Sequence, residues 1–171
     1  MNKALFLDRD GIINIHNEYV FKIEDFIFKN DVFKLCSSFQ SKLFKIFVIT
    51  NQAGIAKKIF SIEDLNILNE YMIDEFNKRQ IHIEHIYFCP HHPDYDIDSF
   101  DRKPNPGMLL RAENDFDINL SESLFIGDQI SDMKAGISAG VGRNYILNSK
   151  IDESVLPNGC TKIESLLDLV D

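Results

Sequence analysis

Two carboxylates stand two residues apart in Asp8-Arg9-Asp10-Gly11, directly after the short apolar run Lys3–Leu7. Acids leaving a buried segment this close together need a cation or a proton between them, since neither charge is readily desolvated beside the other. Two more, Asp128 and Asp132, follow the apolar run 123–126 in the hexapeptide GDQISD. With Asp8 they offer oxygens suited to Mg2+, a hard cation that keeps several waters and recruits phosphate oxygens. Asp132 also reads as an acid answering a helix N-terminal dipole. Thr50-Asn51-Gln52-Ala53-Gly54 comes after the run 45–49. A hydroxyl, an amide and loop N–H groups there can hold a phosphate, although Thr and Asn also cap helices. Arg102-Lys103-Pro104 adds two cations beside a rigid turn. A lysine among those carboxylates would relieve their repulsion and neutralise a phosphoryl group. Each motif alone has a plain turn or cap reading; their company gives them chemical meaning.

The elements that must position these residues alternate. Lys3–Leu7, 45–49, 85–88, 123–126 and 145–147 read as strands from their apolar runs. Helical spacing or capping marks 31–43, 61–76, 106–113, 131–139 (closed by Gly140) and 163–170, with Ser61 and Asp64 placed as a helix start. This alternation predicts an α/β protein, a doubly wound parallel sheet with helices on both faces, in a single domain over residues 1–171. Ligands of such sheets bind beyond the carboxyl ends of the strands. Asp8 and Asp10, Thr50 and Asn51, Cys89 and His91, and Asp128 all fall there.

Composition narrows the partners. Lysine and arginine number 18 against 27 aspartates and glutamates, a net charge of −9, which disfavours nucleic acid and anionic membrane as partners. A local basic cluster can still take a small anion. No apolar run approaches the roughly 20 residues of a membrane span, and MNKALFLDRD meets acids too soon for a secretory signal. Cys36, Cys89 and Cys160 are odd in number and scattered, which argues against a disulfide framework and for a reducing cytoplasm. The expectation is a cytoplasmic monomer.

Taken in order, D-x-D-G, T-N, K-P and G-D-x-x-x-D resemble the haloacid dehalogenase superfamily of aspartyl phosphotransferases. The segments DRDGIIN, ITNQAGIA, YFCPHHP, RKPNPGML and the final GD-x-x-x-DM are similar to those of the D-glycero-D-manno-heptose 1,7-bisphosphate 7-phosphatases, kin of the histidinol-phosphate phosphatase domain. The similarity runs from Ala4 to about Leu147. It implies a Rossmann-like fold with Asp8 as nucleophile and Asp10 as general acid, then base, its backbone carbonyl on Mg2+. Thr50 and Asn51 would contact the transferring phosphoryl, and Lys103 would pair with it and with Asp8. Asp128 would complete the Mg2+ site, supported by Asp132. Arg102 would grip the rest of a phosphorylated sugar. His16 and Tyr19 bound a substrate-contacting stretch that reads HNEY here, with Glu18 where glycine is expected.

About 35 residues separate Gly11 from the second strand and about 50 separate Asn51 from Arg102. Neither gap holds a separate cap domain, so substrate choice falls to loops. The expected activity is Mg2+-dependent removal of the C7 phosphate of heptose 1,7-bisphosphate through an aspartyl-phosphate, serving nucleotide-activated heptose for surface glycans. Histidinol-phosphate phosphatase shares the catalytic set and is the alternative; a catalytically inactive binding protein on the same fold is the alternative of another class. A polynucleotide 3′-phosphatase is opposed by the charge and the lack of a basic stripe.

The resembling enzymes commonly carry a structural Zn2+ on a Cys-x-His pair and a later Cys-x-Cys pair. Cys89-Pro90-His91 supplies the first, but 93–101 reads PDYDIDSFD and is about five residues short. Structural zinc needs four ligands, so Zn2+ is not expected. The loop is expected to be held by its prolines and by Tyr95 and Phe100 packed on the sheet edge.

Overall fold

Strand β1, Lys3–Leu7, is apolar on both faces because it is covered on both. In the computed structural model, which describes residues 1–148 and 150–170, it lies within a six-stranded, all-parallel sheet. The other strands are β2 (Phe44–Asn51), β3 (Ile83–Cys89), β4 (Leu124–Gly127), β5 (Arg143–Ile146) and β6 (Cys160–Lys162), in the order β3-β2-β1-β4-β5-β6. Register pairs Leu5 with Ile46 and Leu124, and Phe6 with Phe47 and Phe125. The order reverses at β1, so the β1–β4 boundary is the switch point where a doubly wound sheet opens a crevice at its carboxyl end.

Strand alternation sorts the core into two layers. Leu5, Leu7, Ile46, Val48 and Ile126 face α1 (Asn30–Ser41) and α2 (Ile62–Asn77), meeting Val32, Leu35, Cys36, Leu68, Met72 and Phe76. Ala4, Phe6, Phe47, Ile49 and Phe125 face α3 (Gly107–Phe116) and α4 (Ile130–Ala139), meeting Met108, Leu109, Ala112 and Ala135, with Cys89 in the same layer. Each fully buried Leu or Phe contributes roughly 1.5–3 kcal/mol. Helix α2 starts where the sequence places it: the Ser61 side chain accepts from the Asp64 N–H and Asp64 accepts from the Ser61 N–H. Gly140 closes α4 in the left-handed region at φ 84°.

The carboxyl-terminal expectation is corrected. In place of a helix over 163–170 there is one 3-10 turn, Leu166–Leu169, reached from the strand β6, which ends at Lys162. The Ile163 N–H donates to the Ile146 carbonyl at 3.0 Å, so the chain is still extending the sheet where helix was expected. The loop after β3 also differs: Tyr95 and Phe100 are 57% and 64% exposed and cover no sheet edge.

Candidate active site

Asp8 is the first residue past β1, its N–H donating to the Ile126 carbonyl of β4 at 2.9 Å. Its Oδ1 accepts from the Arg9 N–H at 2.8 Å and from Lys103 Nζ at 2.9 Å. The same ammonium lies 2.7 Å from Asp132 Oδ1 and donates to the Ile49 carbonyl at 2.8 Å. Lys103, 4% exposed, therefore ties the ends of β1 and β2 to the start of α4. Burial pulls its proton affinity down, but Asp132 and Asp8 more than offset that and hold it charged. Asp8 is pushed well above the ordinary carboxylate range: burial is the largest cause, Lys103 opposes it, and Asp132 and Asp128 add to it.

Asp8, Asp128 and Asp132 bring one oxygen each to within 4.8 Å of one another. One ammonium against three carboxylates leaves two negative charges uncompensated. Asp128 Oδ1 is buried with no hydrogen-bond partner, and burial, then Asp132, raises its pKa. The set fits a divalent oxygen-seeking cation. Two glycines let it close: a Cβ on Gly11, at φ 92°, would overlap the Asp128 carboxylate, and one on Gly127 would overlap that of Asp132. Asp132 also caps α4, its Oδ2 accepting from the N–H groups of Asp128 and Gln129 at 3.1 and 3.0 Å.

A cleft of about 320 Å³ is lined by Asp8, Asp10, His16, Tyr19, Thr50, Asn51, Arg102, Lys103, Asp128 and Asp132 among others. Thr50 is buried, and its hydroxyl accepts from Gln52 Nε2 at 2.9 Å, which leaves its own hydrogen to donate. Asn51 uses both ends of its amide on the main chain of Lys103: Nδ2 donates to the carbonyl at 3.0 Å and Oδ1 accepts from the N–H at 3.1 Å. Arg102 Nη1 donates to the His91 carbonyl at 3.0 Å. The Tyr19 hydroxyl accepts from Lys57 at 2.8 Å. His16 is exposed, with Nδ1 3.6 Å from Asp128 Oδ2. Lys57 and Gln52 escape a motif reading, because their roles come from contacts 38 and 42 residues apart in sequence.

Cys89 and His91 lie outside this cleft and border a separate groove with Tyr87 and Arg111. His91 Nδ1 is 2.7 Å from Asp96 Oδ2, and the His92 N–H donates to Asp96 Oδ1 at 2.8 Å, so one carboxylate clasps the loop. Among the described residues the grouping of three metal-ligating side chains is Asp8, Asp128 and Asp132. Neither Cys89 nor His91 belongs to it.

A family model for HAD-hydrolase-like proteins matches residues 100–156. The chain is 46% identical over 151 residues to a D-glycero-alpha-D-manno-heptose-1,7-bisphosphate 7-phosphatase of Campylobacter jejuni, covering 88% of this chain and 86% of that one. It is 42% identical over 147 residues to a D-glycero-beta-D-manno-heptose-1,7-bisphosphate 7-phosphatase of Helicobacter pylori, covering 85% and 84%. Among solved structures, the D,D-heptose 1,7-bisphosphate phosphatase of B. bronchiseptica, complexed with magnesium and phosphate, superposes with a TM-score of 0.87 at 26% identity, over 96% of this chain and 93% of that one. With relatives this similar over most of both lengths, the chain belongs to the heptose-1,7-bisphosphate 7-phosphatase family of haloacid dehalogenase-type hydrolases.

Proposed function

We propose that this protein is a phosphoric monoester hydrolase that removes the C7 phosphate of a D-glycero-D-manno-heptose 1,7-bisphosphate, in the supply of nucleotide-activated heptose. The observation that carries the reading is Asp8, clamped through one oxygen by Lys103 at 2.9 Å and set in a triad of carboxylates, in a chain 46% identical to such an enzyme. The bonds from the Arg9 N–H and from Lys103 Nζ both fall on Asp8 Oδ1, leaving the second oxygen for attack. That oxygen bonds to phosphorus as the phosphorus–oxygen bond to C7 breaks, and Asp10 gives the leaving oxygen a proton. Asp10 then takes a proton from the water that hydrolyses the aspartyl-phosphate. Thr50 and Lys103 meet the charge on the transferring group. Arg102, at the cleft wall, holds the remote part of the substrate, with His16 and Tyr19 on the facing loop. Asp8, Asp128 and the Asp10 backbone carbonyl would hold Mg2+, with Asp132 behind them; when bound, it neutralises phosphate oxygens. The enzyme works as a single domain and a monomer, without zinc.

The test is phosphate release from both anomers of the heptose bisphosphate, beside histidinol phosphate. Faster turnover of a heptose bisphosphate, lost in Asp8→Asn, is expected. Preference for histidinol phosphate, or full activity in Asp8→Asn, would overturn the reading. Elemental analysis of protein purified without added metal is expected to show no stoichiometric zinc; one zinc per chain surviving dialysis against a mild chelator would contradict it.

A further inference from the structure

Arg9 is 1% exposed and heads the fully buried side chains by size. Its guanidinium reaches Asp10 three times, Nε to Oδ2 at 3.2 Å and Nη2 to Oδ2 and Oδ1 at 2.9 and 3.1 Å. Nη2 also donates to the Val20 carbonyl at 2.7 Å, while Nη1 is buried with no partner. Gln52, buried as well, donates through Nε2 to Asp10 Oδ2 at 3.0 Å and to Thr50 Oγ1 at 2.9 Å. Asn14 Nδ2 donates to Asp10 Oδ1 at 3.0 Å. Fold stability does not ask for this. A buried ion pair with an unmet N–H is commonly no better than well-packed apolar side chains of the same volume.

We propose that Arg9 and Gln52 are positioning residues that fix the aim of the Asp10 carboxylate. The inference depends on Asp10 being the acid of the proposed reaction. The two residues act on different neighbours of the same group. Gln52 links Asp10 to Thr50, setting the acid relative to the hydroxyl that meets the phosphoryl. Arg9 links Asp10 to Val20, at the end of the segment that carries His16 and Tyr19, so one guanidinium sets the acid and the base of the substrate-facing loop together. When Asp10 gives its proton to the oxygen leaving phosphorus, the negative charge left behind is already met by Arg9. Neither residue needs to touch the phosphate through its side chain.

Leaving groups separate this role from a merely structural one. A sugar alkoxide needs a proton as it departs, whereas nitrophenolate does not. Arg9→Lys, Gln52→Met and the control Asp10→Asn are compared on heptose bisphosphate turnover and on the pre-steady-state burst of nitrophenolate from p-nitrophenyl phosphate. In Gln52→Met, which conserves volume, kcat on the sugar is expected to fall about tenfold or more, with the nitrophenolate burst held within about twofold; Asp10→Asn shows the same split, larger. Arg9→Lys, which keeps the charge and loses the fork, is expected to fall between wild type and Gln52→Met. Equal losses on both substrates, or none on either, would overturn the positioning role while the Asp10→Asn split stands. Loss of that split itself would remove Asp10 as the acid, and with it the inference.

Discussion

At the scale of single residues, the site is organised by Lys103 and by what holds Lys103. Its ammonium is shared among Asp8, Asp132 and the Ile49 carbonyl, and its main chain is gripped by Asn51. Lys103→Ala removes charge beside the transferring group, so kcat is expected to fall on the order of 10²–10³-fold. Asn51→Ala removes the grip and not the charge, so a smaller fall of about tenfold is expected. The double variant is expected to match Lys103→Ala alone, because the two residues act as a unit; a multiplicative loss in steady-state kinetics would separate them. The sequence motifs placed both residues at the cleft, but not Asn51 as the clamp on Lys103. A motif records which residues gather, whereas the direction of an amide depends on the contact made 52 residues away. Arg9 is the sharper case. The D-x-D-G pattern leaves its position open, and only the enclosure of its guanidinium reveals its three bonds to Asp10.

At the scale of elements, legibility tracked how local the deciding force is. The strand ends that carry Asp8, Thr50 and Asp128 were readable because buried parallel strands are short apolar runs that stop on polar residues. The start of α2 was readable because a capping box is a three-residue signal. Ser61→Ala is expected to cost about 1 kcal/mol, a fall in Tm of roughly 2–4 °C for a chain of this size, checked by thermal melting. Strand β6 was not readable. Cys160-Thr161-Lys162 has no run of its own and exists through pairing with Asn144, Tyr145 and Ile146. The loop after β3 has a local logic of a different kind, the clasp of Asp96 on His91 and His92. The His92 N–H and then the His91 side chain pull Asp96 from the ordinary 3.8 down to about 2. A depressed carboxylate stabilises the fold in full above its unfolded value and loses that contribution as the pH falls through its folded one. The clasp is therefore expected to hold at neutral pH and to open between about pH 4 and 2. Carboxyl NMR shifts follow it directly; an Asp96 titrating at 3.8 would show that it does not bind the loop.

At the scale of the whole molecule, the sheet divides the interior into two layers, and each layer contains one fully buried cysteine. Cys36 lies among Leu35, Val48 and Met72 on one side, and Cys89 ends β3 on the other. Cys160, in β6, is half-buried. Burial raises the Cys36 thiol strongly and Cys160 less, and only a thiolate reaches an alkylating reagent at a useful rate. The protein thus contains its own pair of opening clocks. Labelling under native conditions is expected to modify Cys160 first, Cys89 next through release of an edge strand, and Cys36 last, through opening of the central layer. Mass spectrometry of the modified peptides reads the three rates. Coincident rates for Cys36 and Cys89 would mean that the two halves of the interior open only together, so that no part of the crevice at the strand ends can loosen without the whole sheet coming apart.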